Sequence, residues 1–178
     1  MRHVELLPFL GDSIDVLTCL IGGVVCPNIH EPSQNPILAD FEIPTGLGFE
    51  KSYLPKANYL EICKTPSKRD RTVKITAALI SIHAYEELKK QSYFSEICDE
   101  ICIQLLEHLR NASGHGNKFK FINKWKRFFL DEEKKLEWRG VVLDKDLNGK
   151  ECFFTFFQPG HFASLFEDIS ILVKSKGY

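Results

Sequence analysis

Proline sets the firmest limit on what this chain can fold into. Six of its eight prolines, Pro27, Pro32, Pro36, Pro44, Pro55 and Pro66, fall between residues 27 and 68. Each removes a backbone donor and restricts the residue before it, so no long helix runs through this stretch. Long helices are therefore expected on either side of it. The segment is not simply polar, because it carries Phe41, Ile43, Phe49, Tyr53, Leu54, Tyr59 and Ile62. It reads as a long irregular excursion lying along a surface, with a short helix near Ala57 to Lys64 as the alternative.

Helical periodicity dominates the rest. Residues 4 to 26 read as one or two helical pieces, with Asp12 or Ser13 as a cap and Ile14, Leu17 and Ile21 near helical spacing. Asp70 to Gln91 reads as a strong helix. Val73, Ala77, Ile80, Ala84 and Leu88 form one stripe, and Ile75, Ala78, Leu79 and Ile82 form a second beside it. A helix apolar over most of its girth is expected to be central and buried. His83 in this helix reads as a packed or partly exposed side chain, with a second catalytic histidine as the sharper alternative. Ser92 or Ser95 is placed to cap the next helix, and Glu96 suits its positive end. Phe94, Ile97, Cys98, Ile101, Cys102, Leu105 and Leu109 then recur at i, i+3 and i+4, the clearest amphipathic pattern in the chain. His161 to Lys174 closes as a helix with Phe162, Leu165, Phe166, Ile169 and Leu172 on its apolar face.

Between the last two helices, residues 138 to 157 read as a β-hairpin. Gly140 to Leu143 and Glu151 to Phe157 are β-prone, and Asp146-Leu147-Asn148-Gly149 supplies a turn. Phe153, Phe154, Phe156 and Phe157 cannot all face one side of a strand, so one face is expected on the bundle and the other on a loop or a partner chain. The chain as a whole, 178 residues and 44% hydrophobic, suits one core and one domain. The expected class is mainly α.

A net charge of −1 argues against coating nucleic acid by bulk electrostatics, but it leaves room for a local phosphate site. Charge is in fact segregated. Residues 86 to 107 hold six acids and two lysines, whereas 118 to 139 hold eight bases and four acids. The six cysteines include no CxxC pair and read as reduced thiols, with Cys98 and Cys102 on a core stripe. Neither a cofactor motif nor a metal-ligand spacing is present. No leader or membrane-spanning run is seen, because Ile14 to Val25 is too short and carries Asp15. A cytoplasmic protein without a membrane partner is the expectation.

The stretch from Glu107 to Asn117, EHLRNASGHGN, concentrates the candidate chemistry. Arg110 offers a permanent cation with forked donors suited to phosphate. His115, between Gly114 and Gly116, is the side chain type most readily used for proton transfer near neutral pH. Gly114 gives a natural helix stop. On a continuous helix, residues five apart point about 140° from each other. The two groups therefore meet either through a break at Ser113-Gly114 or through two copies of the helix. A plainer reading pairs Arg110 with Glu107, one turn earlier, and leaves His115 as a loop residue.

Arg110-Asn111-Ala112-Ser113-Gly114-His115 resembles the Arg-polar-x-x-x-His signature of the HEPN superfamily (higher eukaryotes and prokaryotes nucleotide-binding). The resemblance implies a HEPN-like helical bundle, to which this chain adds the hairpin and the proline-rich segment. It implies a metal-independent endoribonuclease with no cofactor, its site formed at a homodimer interface. It also implies a setting as a toxin or phage-defence effector, with an antitoxin or other regulatory partner. Some HEPN toxins carry a tyrosine two residues after the histidine, where a partner enzyme modifies them. Asn117 stands there in this chain.

On this reading Arg110 holds the scissile phosphate, His115 transfers protons, and Asn111 supports one of them. Lys118, Lys120 and Lys124 follow the RNA backbone. Two other readings stand beside it. One is a non-catalytic HEPN-like module that binds RNA, nucleotide or a protein through the same residues. The other is a helical interaction protein working through its aromatic hairpin.

Overall fold

The computed structural model describes residues 5–20, 41–43, 52–54, 65–121 and 135–178. Helices dominate it. In chain order they are α1 (Pro8–Leu20), α2 (Pro66–Lys89), α3 (Phe94–Ile97), α4 (Ile101–Gly114) and α5 (Pro159–Ser175). Four short strands accompany them: β1 (Phe41–Ile43), β2 (Ser52–Leu54), β3 (Leu136–Trp138) and β4 (Val141–Leu143). By contact the chain divides into two compact units, Met1–Leu17 with Thr76–Tyr178, and Thr18–Ile75. Among the described residues, no helix is long and apolar enough to cross a membrane.

The unit formed by Thr18–Ile75 contains an antiparallel pair, with Phe41 opposite Leu54 and Ile43 opposite Ser52. A short ladder therefore interrupts the proline-rich stretch. Ile21, Cys26, Cys63 and the alternative helix near Ala57 to Lys64 lie outside the described residues. Pro66, counted above with the helix breakers, instead opens α2. Proline is tolerated in a first turn, where its missing N–H is an orphan in any case. This carries α2 four residues further back than Asp70.

The larger unit is built around α4. Cys102, Ile103, Leu105, Leu106, His108, Leu109 and Ala112 are all buried along it. The sequence predicted the reverse, a buried α2 and a one-faced helix after it. The first α2 stripe is as predicted, with Val73, Ala77, Ile80, Ala84 and Leu88 at 4% exposure or less. The second stripe faces outward, with Ile75 52% and Leu79 61% exposed. The predicted single helix from Ser92 onward is also interrupted. After the short α3 the chain turns at Cys98–Glu100, and Glu100 takes an extended conformation before α4 (φ −73, ψ 144). Neither Ser92 nor Ser95 is the residue before α3; Tyr93 holds that place without a side-chain cap. The turn rotates Ile101 out of the stripe and exposes it, while Ile97, Cys98 and Cys102 stay buried.

Helix α4 packs against α5 and β3. Phe162, Leu165, Phe166 and Ile169 of α5 are fully buried, as their spacing predicted. The α5 start is fixed by a reciprocal cap: Gln158 and His161 each accept from the other end of the first turn, His161 Nδ1 taking the Gln158 N–H at 3.2 Å. The N-terminal segment is tied to the same helix. Leu7 N–H donates to Ser170 Oγ at 3.0 Å, and Lys174 Nζ donates to the Glu5 carbonyl at 2.8 Å. Ser13 is not a cap in α1; its hydroxyl donates back to Phe9 O at 2.9 Å.

The hairpin forms, but earlier than the sequence suggested. Its strands are β3 and β4, with Leu136 opposite Leu143 and Trp138 opposite Val141. Its turn is Arg139-Gly140, both with positive φ (46° and 80°), the backbone that a two-residue hairpin favours. Asn148-Gly149 still turns the chain, after a short 3-10 helix at Lys145–Leu147. It brings Glu151 back opposite Lys118, not opposite β4. Residues 151 to 157 form no strand, because the Cys152 carbonyl accepts from both Phe156 and Phe157 N–H and closes a tight loop. That loop resolves the crowding of aromatics. Phe153 and Phe157 enter the core, while Phe154 and Phe156 stay partly exposed, Phe156 meeting Phe119 edge-on at 5.1 Å.

Of the described cysteines, Cys98, Cys102 and Cys152 are buried and free, and Cys19 is exposed. Burial pushes the Cys102 thiol up to about 12 and raises Cys152 as well, so both behave as small apolar groups.

Asp168 on α5 locks the hairpin. Its carboxylate accepts from Trp138 Nε1 at 2.7 Å and from Arg139 Nε and Nη2 at 2.9 and 2.6 Å. Trp138 is only 6% exposed, so removing the acceptor strands a buried donor. Asp168→Ala is expected to lower stability by about 1–3 kcal/mol in urea unfolding, whereas a change below about 0.5 kcal/mol, the usual range for a surface site, would show that the lock is unimportant.

Candidate functional site

Arg110 lies in the last turns of α4 and His115 is the cap residue that follows it, the helix running unbroken from Arg110 through Gly114. Gly114 is therefore not the stop. Gly116 is: it takes φ +67, and Asn117 N–H reaches back to the Ala112 carbonyl at 3.0 Å. This is the six-to-one bond that closes a helix with a left-handed glycine. The glycine after His115 thus has a structural cause, since a side chain would be strained at that φ.

An unbroken helix fixes the relation between the two groups. They stand about 140° apart around the axis and about 7.5 Å apart along it. His115, the residue at the cap, is exposed, as are Gly114 and Gly116. Arg110 is half-exposed on another face. One chain therefore presents the cation and the imidazole at the same helix end without turning them towards each other.

Arg110 does not pair with Glu107, one turn earlier. Its Nε and Nη2 both donate to Glu86 Oε1, at 3.0 and 2.7 Å, across to α2. Glu107 instead lies beside Tyr85, whose own ionisation is pushed far up by burial and then by the Glu107 charge. Neighbouring residues on α2 thus face the charges of α4, with Tyr85 beside Glu107 and Glu86 holding Arg110. Both partners of the ion pair are about 40% exposed (40% and 38%), so the pair contributes only about 0.2–1 kcal/mol of stability. Sequence reasoning missed Glu86. The available signal was its place in the series Ile75, Leu79, Ile82, Glu86, where it continues the second stripe of α2 at helical spacing.

Asn111 is partly buried beside Arg110. Lys118 and Lys120 are exposed just beyond His115, and Lys150 is exposed on the segment that returns beside them. Lys124 lies outside the described residues. His83 is exposed on α2. His161 serves the cap of α5, and His108 is buried with its ring edge-on to Phe121 at 5.3 Å.

Asn117 has a structural task of its own. It takes φ +66, and its Oδ1 accepts from Phe153 N–H at 2.7 Å while its carbonyl accepts from Cys152 N–H at 2.9 Å. It joins the end of α4 to the aromatic loop. Compared with protein-family models, curated proteins and solved structures, the chain matches none.

Asn117→Ala removes the side-chain bond and puts a Cβ residue with no polar tip in the left-handed region. We expect a loss of about 2–3 kcal/mol, with Asn117→Gly closer to the wild type by about 1 kcal/mol, read from denaturant midpoints. Equal losses in the two variants would mean that the backbone conformation contributes nothing.

Proposed function

We propose that this chain is a HEPN-like, metal-independent endoribonuclease that works as a homodimer. The observation that carries the reading is the end of α4. There a half-exposed arginine is held by a carboxylate from the neighbouring helix, an exposed histidine follows five residues later, and exposed lysines continue the surface. Because one helix directs Arg110 and His115 to different sides, a cleft formed by two copies best unites a phosphate-binding cation with proton-transfer groups. The outward stripe of α2 favours such pairing. Ile82 and Leu79, the latter 61% exposed, lie one and two turns before Glu86 on the same line of the helix.

In the proposed reaction one His115 takes the proton of a ribose 2′-hydroxyl. The 2′-oxygen attacks the adjacent phosphorus, and the bond from phosphorus to the 5′-oxygen breaks. The second His115 supplies the proton that the leaving 5′-oxygen takes up. A 2′,3′-cyclic phosphate and a 5′-hydroxyl result, with no net change in protons. Arg110 stabilises the charge that builds on the phosphate oxygens. Asn111 supports the orientation of this pair, and Lys118 and Lys120 neutralise the flanking backbone.

The second reading is a binding module without turnover. It is favoured by the single-chain geometry, in which Arg110 is already engaged by Glu86 and does not face His115. Purified protein incubated with mixed RNA in EDTA separates the two. The enzyme reading expects cyclic-phosphate ends from the wild type, and a fall of about 10² to 10⁴ in rate for His115→Ala and Arg110→Ala. RNA retained on a gel at unchanged length would favour the module.

A further inference from the structure

We propose that Glu86 is the positioning residue for Arg110: it fixes the guanidinium by one edge so that the other edge is presented to the scissile phosphate. The inference rests on the ribonuclease reading above and names the partner that makes its phosphate group competent.

The geometry supplies the argument. A guanidinium has two forked edges, one made by Nε and Nη2 and the other by Nη1 and Nη2. Both protons of the first edge converge on the single oxygen Glu86 Oε1, at 3.0 and 2.7 Å. Among the described residues nothing bonds to Nη1 or the outer proton of Nη2, which form a second fork on a side chain 40% exposed. A phosphate needs only that second fork, so binding it does not require Glu86 to leave. Arginine on its own explores many rotamers, and a phosphate-binding group works only when held near its productive place.

Glu86 is suited to hold it. It projects from α2, a 24-residue helix, and not from a loop. Glu107, the carboxylate one turn from Arg110 on the same helix, lies beside Tyr85, and the guanidinium bonds to Glu86 alone of the two acids. Since the pair is too exposed to contribute much to stability, orientation is the property most affected by its loss.

The test compares wild type, Glu86→Gln, Glu86→Ala and Arg110→Ala in steady-state cleavage of a short RNA in EDTA, with thermal unfolding alongside. Glutamine keeps an acceptor oxygen for the Nε–Nη2 edge, whereas alanine removes it. The expected result is that Glu86→Ala loses about 10- to 100-fold in kcat/KM with most of the loss in kcat. Glu86→Gln should stay within about fivefold of the wild type, and both variants should unfold at its temperature. Equal or faster cleavage by Glu86→Ala would overturn the proposal and make the carboxylate a competitor of phosphate. A loss of activity matched by a loss of thermal stability would also overturn it, in favour of a structural role. If the wild type and Arg110→Ala behave alike, the ribonuclease reading itself fails and this inference falls with it. Activity lost in Arg110→Ala but kept in Glu86→Ala removes only the positioning role.

Discussion

The rest of the larger unit depends on one requirement placed on α4, that a helix buried along most of its length must end in water. Ile103, Leu105, Leu106 and Leu109 are fully enclosed, and the last enclosed residue is Ala112. Two residues later the helix is solvent-exposed. The closing bond from Asn117 to Ala112 and the left-handed Gly116 turn the chain sharply there. The Asn117 side chain then ties the turn to the aromatic loop around Phe153. The core thereby rigidly supports a short polar tip, which is the arrangement that a binding or catalytic group needs.

That tip carries charges whose partners are chosen across helices. Along α4 alone, Glu107 and Arg110 would be the natural pair. The tertiary structure breaks that local match by presenting Tyr85 to one and Glu86 to the other. The Glu86 carboxylate receives the guanidinium, so Arg110 does not collapse on its neighbour Glu107. The Asp168 lock on the hairpin also gathers its partners across elements. Asp168 receives the Trp138 indole and the Arg139 fork together, and the Arg139 guanidinium lies 5.8 Å from the indole ring centre.

Much of the helical frame was legible from apolar spacing. The Val73 to Leu88 stripe and the Phe162 to Ile169 face are buried as read, and Cys98 and Cys102 are core residues. What spacing did not reveal was which helix is central. Periodicity reports that Ile75 and Leu79 are apolar, but not whether anything covers them. It also could not show the turn at Cys98–Glu100, because three residues of turn displace a helical stripe only at Ile101. The hairpin was misplaced because Asn148-Gly149 is a strong turn signal, whereas Arg139-Gly140 is a weak one. The strong signal here turns the chain towards Phe119, not towards β4. In the candidate site, Arg110 and His115 were found from residue type and spacing, but Glu86 was not. Its link to Arg110 is a contact between residues 24 positions apart.

The central claim is that a phosphate-binding arginine and a proton-transferring histidine, turned apart by one helix, act together through two copies of the chain. Cleavage rate per chain against protein concentration, measured with sedimentation equilibrium for the wild type and Leu79→Asp, tests it most directly. The account predicts that the wild-type rate per chain rises with the dimer fraction and levels off with it. It also predicts that Leu79→Asp stays folded, sediments as a monomer and does not cut. A monomeric species cleaving RNA at the full wild-type rate would contradict it.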